Sequence, residues 1–143
     1  MLMRESLPDG GFALAKGRSR TVFRELAAGV VLIVASGPGE ESLDVEVLQE
    51  LSRAIERYGS LTVFADLSQL SGISLGSSRV AVKWVRRHRA AILAGHLLVG
   101  QVAVSIAVSM IASVFGGSVR SYTQKALFEA GIRRQVPDFI GLS

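Results

Sequence analysis

The stretch RRHRAAILAGHLLVGQVAVSIAVSMIASVFGGSVR, residues 86–120, decides what kind of protein this sequence encodes. Its middle, residues 90–119, contains no Asp, Glu, Lys or Arg. Residues 97–117 are long and apolar enough to cross a bilayer, and the arginines before them resemble the basic flank of a membrane span. The stretch therefore encodes either a membrane span or the core of a soluble domain.

Three residues, Gly95, Gly100 and Gln101, divide this apolar run. They separate a short strand-like piece from a longer helix-like piece, and a continuous span would need no such break. We therefore predict two buried elements of a soluble α/β core. A true membrane span and a helix lying in the membrane interface are the alternatives.

Outward from this stretch, strand-like and helix-like segments alternate along the chain. Short runs rich in β-branched residues predict strands, and longer runs with apolar residues at helical spacing predict helices. The predicted strands are residues 21–26, 30–35, 61–70, 96–100 and 118–123. The predicted helices are residues 43–58, 77–93, 102–115 and 124–134. This order, β-β-α-β-α-β-α-β-α, predicts an α/β sandwich with a mixed, mostly parallel sheet and flanking helices.

The same pattern predicts one domain. Residues 1–18 are weakly patterned and read as an N-terminal arm or irregular entry, residues 19–136 as the domain, and residues 137–143 as a C-terminal tail. The N-terminus lacks the apolar segment of a signal peptide, so we expect a cytoplasmic protein.

The composition restricts the chemistry. The chain has 143 residues, a net charge of +4, no cysteine and two histidines. Disulfides, thiolate catalysis and cysteine-based zinc sites are excluded, and a metal site of several histidines is not expected. The sequence carries no GxxxxGK[ST] phosphate loop and no nucleophile elbow. We predict no enzyme activity, no cofactor and no metal.

The predicted helix over residues 77–93 is amphipathic. Helical spacing places four cations on its outer side, and these are Arg79, Lys83, Arg86 and Arg87. This basic face is either a solvated surface or a contact for phospholipid headgroups or an acidic protein. Nucleic acid is not an expected ligand because no aromatic residues interleave with the cations. His88 falls on the apolar side, where we predict a core histidine bonded to a backbone carbonyl.

The predicted helix over residues 102–115 has one face of small, uncharged residues. They are Ser105, Ser109, Ala112 and Ser113. Small side chains permit close approach of another helix. This face is therefore a candidate for self-association as a homodimer, and ordinary packing within the domain is the alternative.

The segment VFADLSQLSGIS, residues 63–74, leads into a helix that begins with Gly76-Ser77-Ser78. This segment resembles the STAS domain, whose pattern here reads DLSxVxxIDSSG. The order of segments over residues 20–134 is most similar to the bacterial SpoIIAA-like branch, which is related in fold to SEC14-type domains. Asp66, Leu67 and Ser68 match the strand end of that pattern.

The resemblance implies a non-catalytic domain that binds a regulatory protein and is sometimes switched by phosphorylation of a serine at the start of the second helix. The Asp-Ser-Ser-Gly element itself is absent. An ungapped comparison places Ser74 at its start, and a two-residue shift places Ser77 and Ser78 at the family's serines. These three serines are the candidate phosphorylation sites. Alternatively, Ser77 is only the N-cap of the helix.

Together, these features predict a regulatory or scaffold domain that binds another protein, of an identity the sequence does not reveal, and that self-associates. The alternative is a peripheral membrane or lipid-binding protein that uses the basic helix face on an anionic membrane surface, or an apolar pocket.

Overall fold

The strands of this protein join into one twisted sheet in the order in which they occur along the chain. The computed structural model describes residues 1–100, Ser109 and 118–142. Seven described strands form the sheet, in the order β1 to β7. They are β1 (Met3–Ser6), β2 (Phe12–Lys16), β3 (Ser19–Ala27), β4 (Val30–Pro38), β5 (Leu61–Gly72), β6 (Ile92–Leu98) and β7 (Val119–Tyr122). The described α-helices are α1 (Glu41–Tyr58), α2 (Leu75–His88) and α3 (Lys125–Gln135).

The sheet is mixed, as predicted. The first four strands pair antiparallel, and β4, β5, β6 and β7 pair parallel. Three of the six described strand pairs are antiparallel. The sequence predicted a mostly parallel sheet, because it did not indicate β1 and β2, which precede the first predicted strand. Parallel neighbours need crossover connections, which α1 supplies between β4 and β5 and α2 between β5 and β6.

The core lies on both faces of the sheet, as expected for helices on both sides. Alternate residues of β4 point to opposite faces, so Val31 packs with α1 while Leu32 packs with α3. On the first face, α1 buries Leu43, Val47, Leu51 and Ala54. On the second face, α3 buries Phe128, Gly131 and Ile132. Burial on both faces explains why the central strands read as continuous apolar runs.

The prediction of an irregular N-terminal arm over residues 1–18 is wrong. β1 and β2 form an antiparallel hairpin at the edge of the sheet, joined by a turn that contains Gly10 at φ 91°. Leu14 is 2% exposed, and the Phe12 ring stacks on Phe23 with centroids 5.2 Å apart. Backbone hydrogen bonds hold β1, which has no buried residue, so hydropathy alone does not reveal it. As a division into domains, the boundaries at 18/19 and 136/137 remain a prediction.

The segment after α3 is also packed. Phe139 and Leu142 contact the core on the second face, and the Leu142 amide donates a hydrogen bond of 2.9 Å to Glu129. The predicted tail therefore follows the surface of the domain over the described residues.

The helix bounds around the basic segment differ from the prediction. α2 begins at Leu75 rather than near residue 77, and it ends at His88 rather than residue 93. A short 3-10 turn, Arg89–Ala91, follows it, and β6 then begins at Ile92, which pairs with Leu61. Pairing with β5 in the sheet overrides the helical pattern of residues 89–93.

No described helix is both long enough and apolar enough to cross a bilayer. The strand predicted at residues 96–100 begins earlier, at Ile92, and ends earlier, at Leu98. The predicted helix over residues 102–115 lies outside the described residues, apart from Ser109, which is helical.

Substitutions at two glycines measure how tightly the end of β4 packs against the β2–β3 turn. Gly37 and Gly17 both have positive φ, at 81° and 60°. A β-carbon on Gly37 would collide with the Arg18 carbonyl, whereas one on Gly17 would meet nothing within 4 Å. We expect Gly17→Ala to cost about 1–2 kcal/mol of unfolding free energy from backbone strain alone. Gly37→Ala should cost about 1–3 kcal/mol more because the backbone must move. Urea unfolding of both variants measures this, and equal losses would contradict the packing described.

Candidate functional site

The Asp-Leu-Ser motif forms a β-bulge in β5. Val34 pairs with Asp66 and Ser36 with Gln69, so β5 contains one residue more than β4 at this point. The carboxylate of Asp66 accepts hydrogen bonds from the Ser68 amide at 3.0 Å and the Ser68 hydroxyl at 2.6 Å. Asp66 is buried, with 4% of its surface exposed. These hydrogen bonds from Ser68 stabilise the bulge.

The three candidate serines at the start of α2 have different environments. Ser74, which is exposed, is the N-cap, and its hydroxyl accepts a hydrogen bond of 3.0 Å from the Ser77 amide. The interpretation of Ser77 as the N-cap is therefore wrong. Ser77 lies in the first turn and is 5% exposed, and Ser78 is half-buried. Of these three serines, Ser74 is the most exposed residue, and its hydroxyl also donates a hydrogen bond of 3.0 Å to the Ser77 hydroxyl.

Asp44 of α1 lies beside Ser77, where the first turns of α1 and α2 meet. Burial raises the pKa of the Asp44 carboxyl above its usual value, although a hydrogen bond from Ser77 opposes this. Both residues line a cavity of ≈ 200 Å³ between the two helices and the sheet. Sequence reasoning missed this site, because its walls come from several segments that are distant along the chain.

The predicted basic face is present on α2. Arg79, Lys83, Arg86 and Arg87 are exposed, and none of them forms an ion pair with a described residue. Leu75, one turn before Arg79, is 64% exposed at the head of this row. We call these five residues the α2 face. It combines a row of cations, which no described acidic residue pairs with, and one exposed apolar side chain.

A groove runs between α1 and α2, next to the α2 face. The indole nitrogen of Trp84 donates to the Ser52 hydroxyl at 2.9 Å, which ties the helices together. The His88 ring stacks on Trp84 at 4.4 Å, and its Nδ1 lies 3.0 Å from the Trp84 carbonyl oxygen. The predicted backbone contact of His88 is confirmed, although the ring lies in this α1–α2 groove rather than in the core. The groove is lined by Val45, Leu48, Gln49, Ser52, Val80, Lys83, Trp84, Arg87 and His88.

A second histidine forms a cluster that the sequence did not indicate. His96 of β6 stacks on Phe64 at 4.4 Å, and its Nδ1 lies 2.8 Å from the Tyr122 hydroxyl. Burial lowers the pKa of His96, and the nearby Arg120 and Arg134 lower it further. These contacts join β5, β6 and β7 on the face covered by α3.

The predicted self-association face is only partly described. Ser109 is helical and exposed, whereas Ser105, Ala112 and Ser113 lie outside the described residues. Self-association through these residues therefore stays a prediction. Among the described residues, no three His, Cys, Asp or Glu side chains are grouped as a metal site would require.

Comparison with known proteins identifies the fold. No family model matches the chain, and no curated protein matches it. An uncharacterised protein with a SpoIIAA-like fold from Shewanella loihica superposes with a TM-score of 0.61 at 13% identity, over 82% of this chain and 97% of that one.

Two regulatory proteins are also similar. The Bacillus cell fate determinant SpoIIAA, in its phosphorylated form, gives a TM-score of 0.57 at 17% identity, over 79% of this chain and 96% of its own. An anti-sigma factor antagonist from Mycobacterium paratuberculosis gives 0.53 at 13% identity, over 90% and 99%. The predicted STAS-like, SpoIIAA-like fold is confirmed.

Substitutions of Asp66 test whether its hydrogen bonds with Ser68 stabilise the bulge. In Asp66→Ala the Ser68 amide and hydroxyl lose their acceptor, and we expect a loss of about 1–3 kcal/mol in unfolding free energy. Asp66→Asn retains an acceptor oxygen and should lose clearly less. Urea unfolding compares the two, and indistinguishable losses would show that the hydrogen bonds to Ser68 do not stabilise the bulge.

The contribution of His96 to the free energy of unfolding should depend on pH. Because the folded state lowers its pKa below the ordinary value of 6.5, the neutral ring is favoured by folding. Its contribution is fully present above about pH 6.5 and is lost as the pH falls through the lowered, folded-state pKa. The stability difference between the wild type and His96→Gln should therefore shrink on acidification from neutral pH, as measured by urea unfolding at several pH values. A difference that grows would mean that the protonated ring is preferred.

Proposed function

We propose that this chain is a non-catalytic regulatory or scaffold domain that acts by binding another protein. The fold supports this, because one of its similar structures is an anti-sigma factor antagonist, a protein named for acting on another regulator. The identity of the chain with that protein is low, so the proposal rests mainly on the surface of the chain itself. The observation that carries it is the α2 face.

The α2 face has the properties of a docking surface. Its four cations are exposed and are not neutralised by described acidic residues, so they are available to a partner. Opposite charge on the partner would speed the encounter and fix its orientation. Leu75, at the head of the row, would add apolar contact area that is now in water.

The α1–α2 groove extends this surface. It shares Lys83 and Arg87 with the α2 face, and it contains the partly buried ring of Trp84 beside Leu48 and Val80. Aromatic residues in such positions are frequent binding hot spots. The partner we propose is therefore an acidic protein surface that places an apolar side chain in the groove.

Ser74 is the site that we propose for regulation. It is exposed at the N-cap of α2, one turn from Arg79, whereas Ser77 is buried. A phosphate at Ser74 would lie at the positive end of the helix, which is favourable. It would also partly neutralise the α2 face and repel an acidic partner.

The α2 face supports a second candidate, binding to anionic membranes. A row of exposed cations, such as the one beside Leu75, also attracts anionic phospholipid headgroups. Both candidates use the same cations, so experiments must separate them. Self-association, through the small residues of the 102–115 segment, is compatible with either one.

A charge-reversal pair tests the protein-binding proposal. Arg79→Glu with Lys83→Glu should abolish capture of the partner from native lysate, as measured by quantitative mass spectrometry against wild type. The matched control, Arg120→Glu with Arg134→Glu, makes the same charge change at two exposed arginines on the other side of the sheet. It should retain capture. Equal loss in both variants, with both folded by circular dichroism, would show an effect of net charge and contradict the assignment of the α2 face.

Co-sedimentation tests the membrane candidate. If the α2 face binds a protein partner and not lipid, the purified chain should stay in the supernatant with both neutral and anionic liposomes, at low and high salt. Pelleting with anionic vesicles alone, reversed by salt and lost in Arg79→Glu with Lys83→Glu, would establish the membrane role instead.

A further inference from the structure

The cavity beside Asp44 lies between the first face of the sheet and the helices α1 and α2. It has a volume of ≈ 200 Å³. The sequence creates it by placing small residues where larger ones would fill the layer, with Ala35 and Ala65 on the sheet and Ala81 on α2. The space is partly open to solvent, and small-molecule sites are typically concave and mostly apolar. A space of this size is therefore a candidate binding site.

The walls of the cavity are mainly apolar. They include Ile33, Leu51 and Leu70. An apolar cavity of roughly 150 Å³ is known to accept a molecule the size of benzene. The cavity is therefore large enough for one ring or a short branched hydrocarbon.

The polar part of the lining is concentrated in a few side chains. Asp44 and Ser77 lie where α1 meets α2, and Thr21 of β3 also lines the cavity. Thr21 and Ser77 are 4% and 5% exposed. Asp44 is half-buried and forms no ion pair with a described residue, and Ser77 donates a hydrogen bond to its carboxylate. A ligand with a donor group at this end would satisfy that carboxylate.

The surrounding charges favour a cationic donor. Besides burial, Glu40 and Glu41 raise the pKa of Asp44, so its neighbours add negative potential. The nearby Lys16 is already engaged, with its Nζ 3.2 Å from Glu40. The electrostatic potential at the polar end of the cavity is therefore negative, because Asp44 has acidic neighbours.

We propose that this cavity binds a small apolar amine, with its ammonium group on Asp44 and Ser77 and its hydrocarbon body against Ala35, Ala65 and Leu70. The site is separate from the α2 face, since it uses the inner side of α2. It therefore does not depend on the protein-binding proposal.

Titration of the full-length ¹⁵N-labelled chain tests this assignment. Benzylamine is the probe, and benzyl alcohol is its neutral counterpart of nearly the same shape. We expect benzylamine to shift the amide signals of Asp44, Ser77 and Ala81. Benzyl alcohol should bind at least about tenfold more weakly because it lacks the charge. This comparison uses the wild-type chain alone, so it does not depend on the folding of any variant.

Two variants locate the contacts. Asp44→Asn should weaken benzylamine binding at least about tenfold, and it should leave the weak binding of benzyl alcohol nearly unchanged. Ala81→Leu should remove binding of both probes by filling the cavity. Equal binding of the two probes, without an effect of Asp44→Asn, would show a purely apolar void and overturn the proposal. Absence of benzylamine binding, or shifts away from the cavity, would overturn it as well.

Discussion

The parallel pairing of β4 with β5 at the centre of the sheet determines where the helices of this protein lie. Val31, Leu32, Leu61 and Phe64 of these strands are at most 1% exposed, so both faces must be covered. Parallel strands require a crossover, and crossovers are almost always right-handed. Two successive crossovers in the same direction therefore place α1 and α2 side by side on one face, and of the described helices α3 covers the other.

This arrangement gives α2 two different surfaces. Its inner side meets the sheet with small residues, Ser77 and Ala81, and leaves the cavity beside Asp44. Its outer side carries the α2 face and one wall of the α1–α2 groove. Trp84 connects the two sides, because its hydrogen bond to Ser52 holds α2 against α1 at a fixed distance.

The central elements could be predicted from the sequence because their signals are local. Apolar runs predicted β4 and β5, and helical spacing predicted α1 and the outer cations of α2. The remainder depends on contacts between distant residues. The β1–β2 hairpin is held by backbone pairing that hydropathy does not record. His96 meets Tyr122 only because β6 and β7 are neighbours. Ser74, Ser77 and Ser78 lie within five residues of sequence, and the backbone geometry rather than the residue type makes Ser74 the N-cap. The Asp-Leu-Ser motif is visible in the sequence, but its position in a bulge is visible only from the register of β5 against β4.

We propose that partners bind the outer side of α2. Site-specific photo-cross-linking in native cells tests it whatever the identity of the partner, with a benzophenone amino acid placed at Lys83 or, as a control, at Arg134 of α3. We expect a discrete heavier adduct from position 83 and none from position 134. An adduct from position 134 with none from position 83 would contradict it.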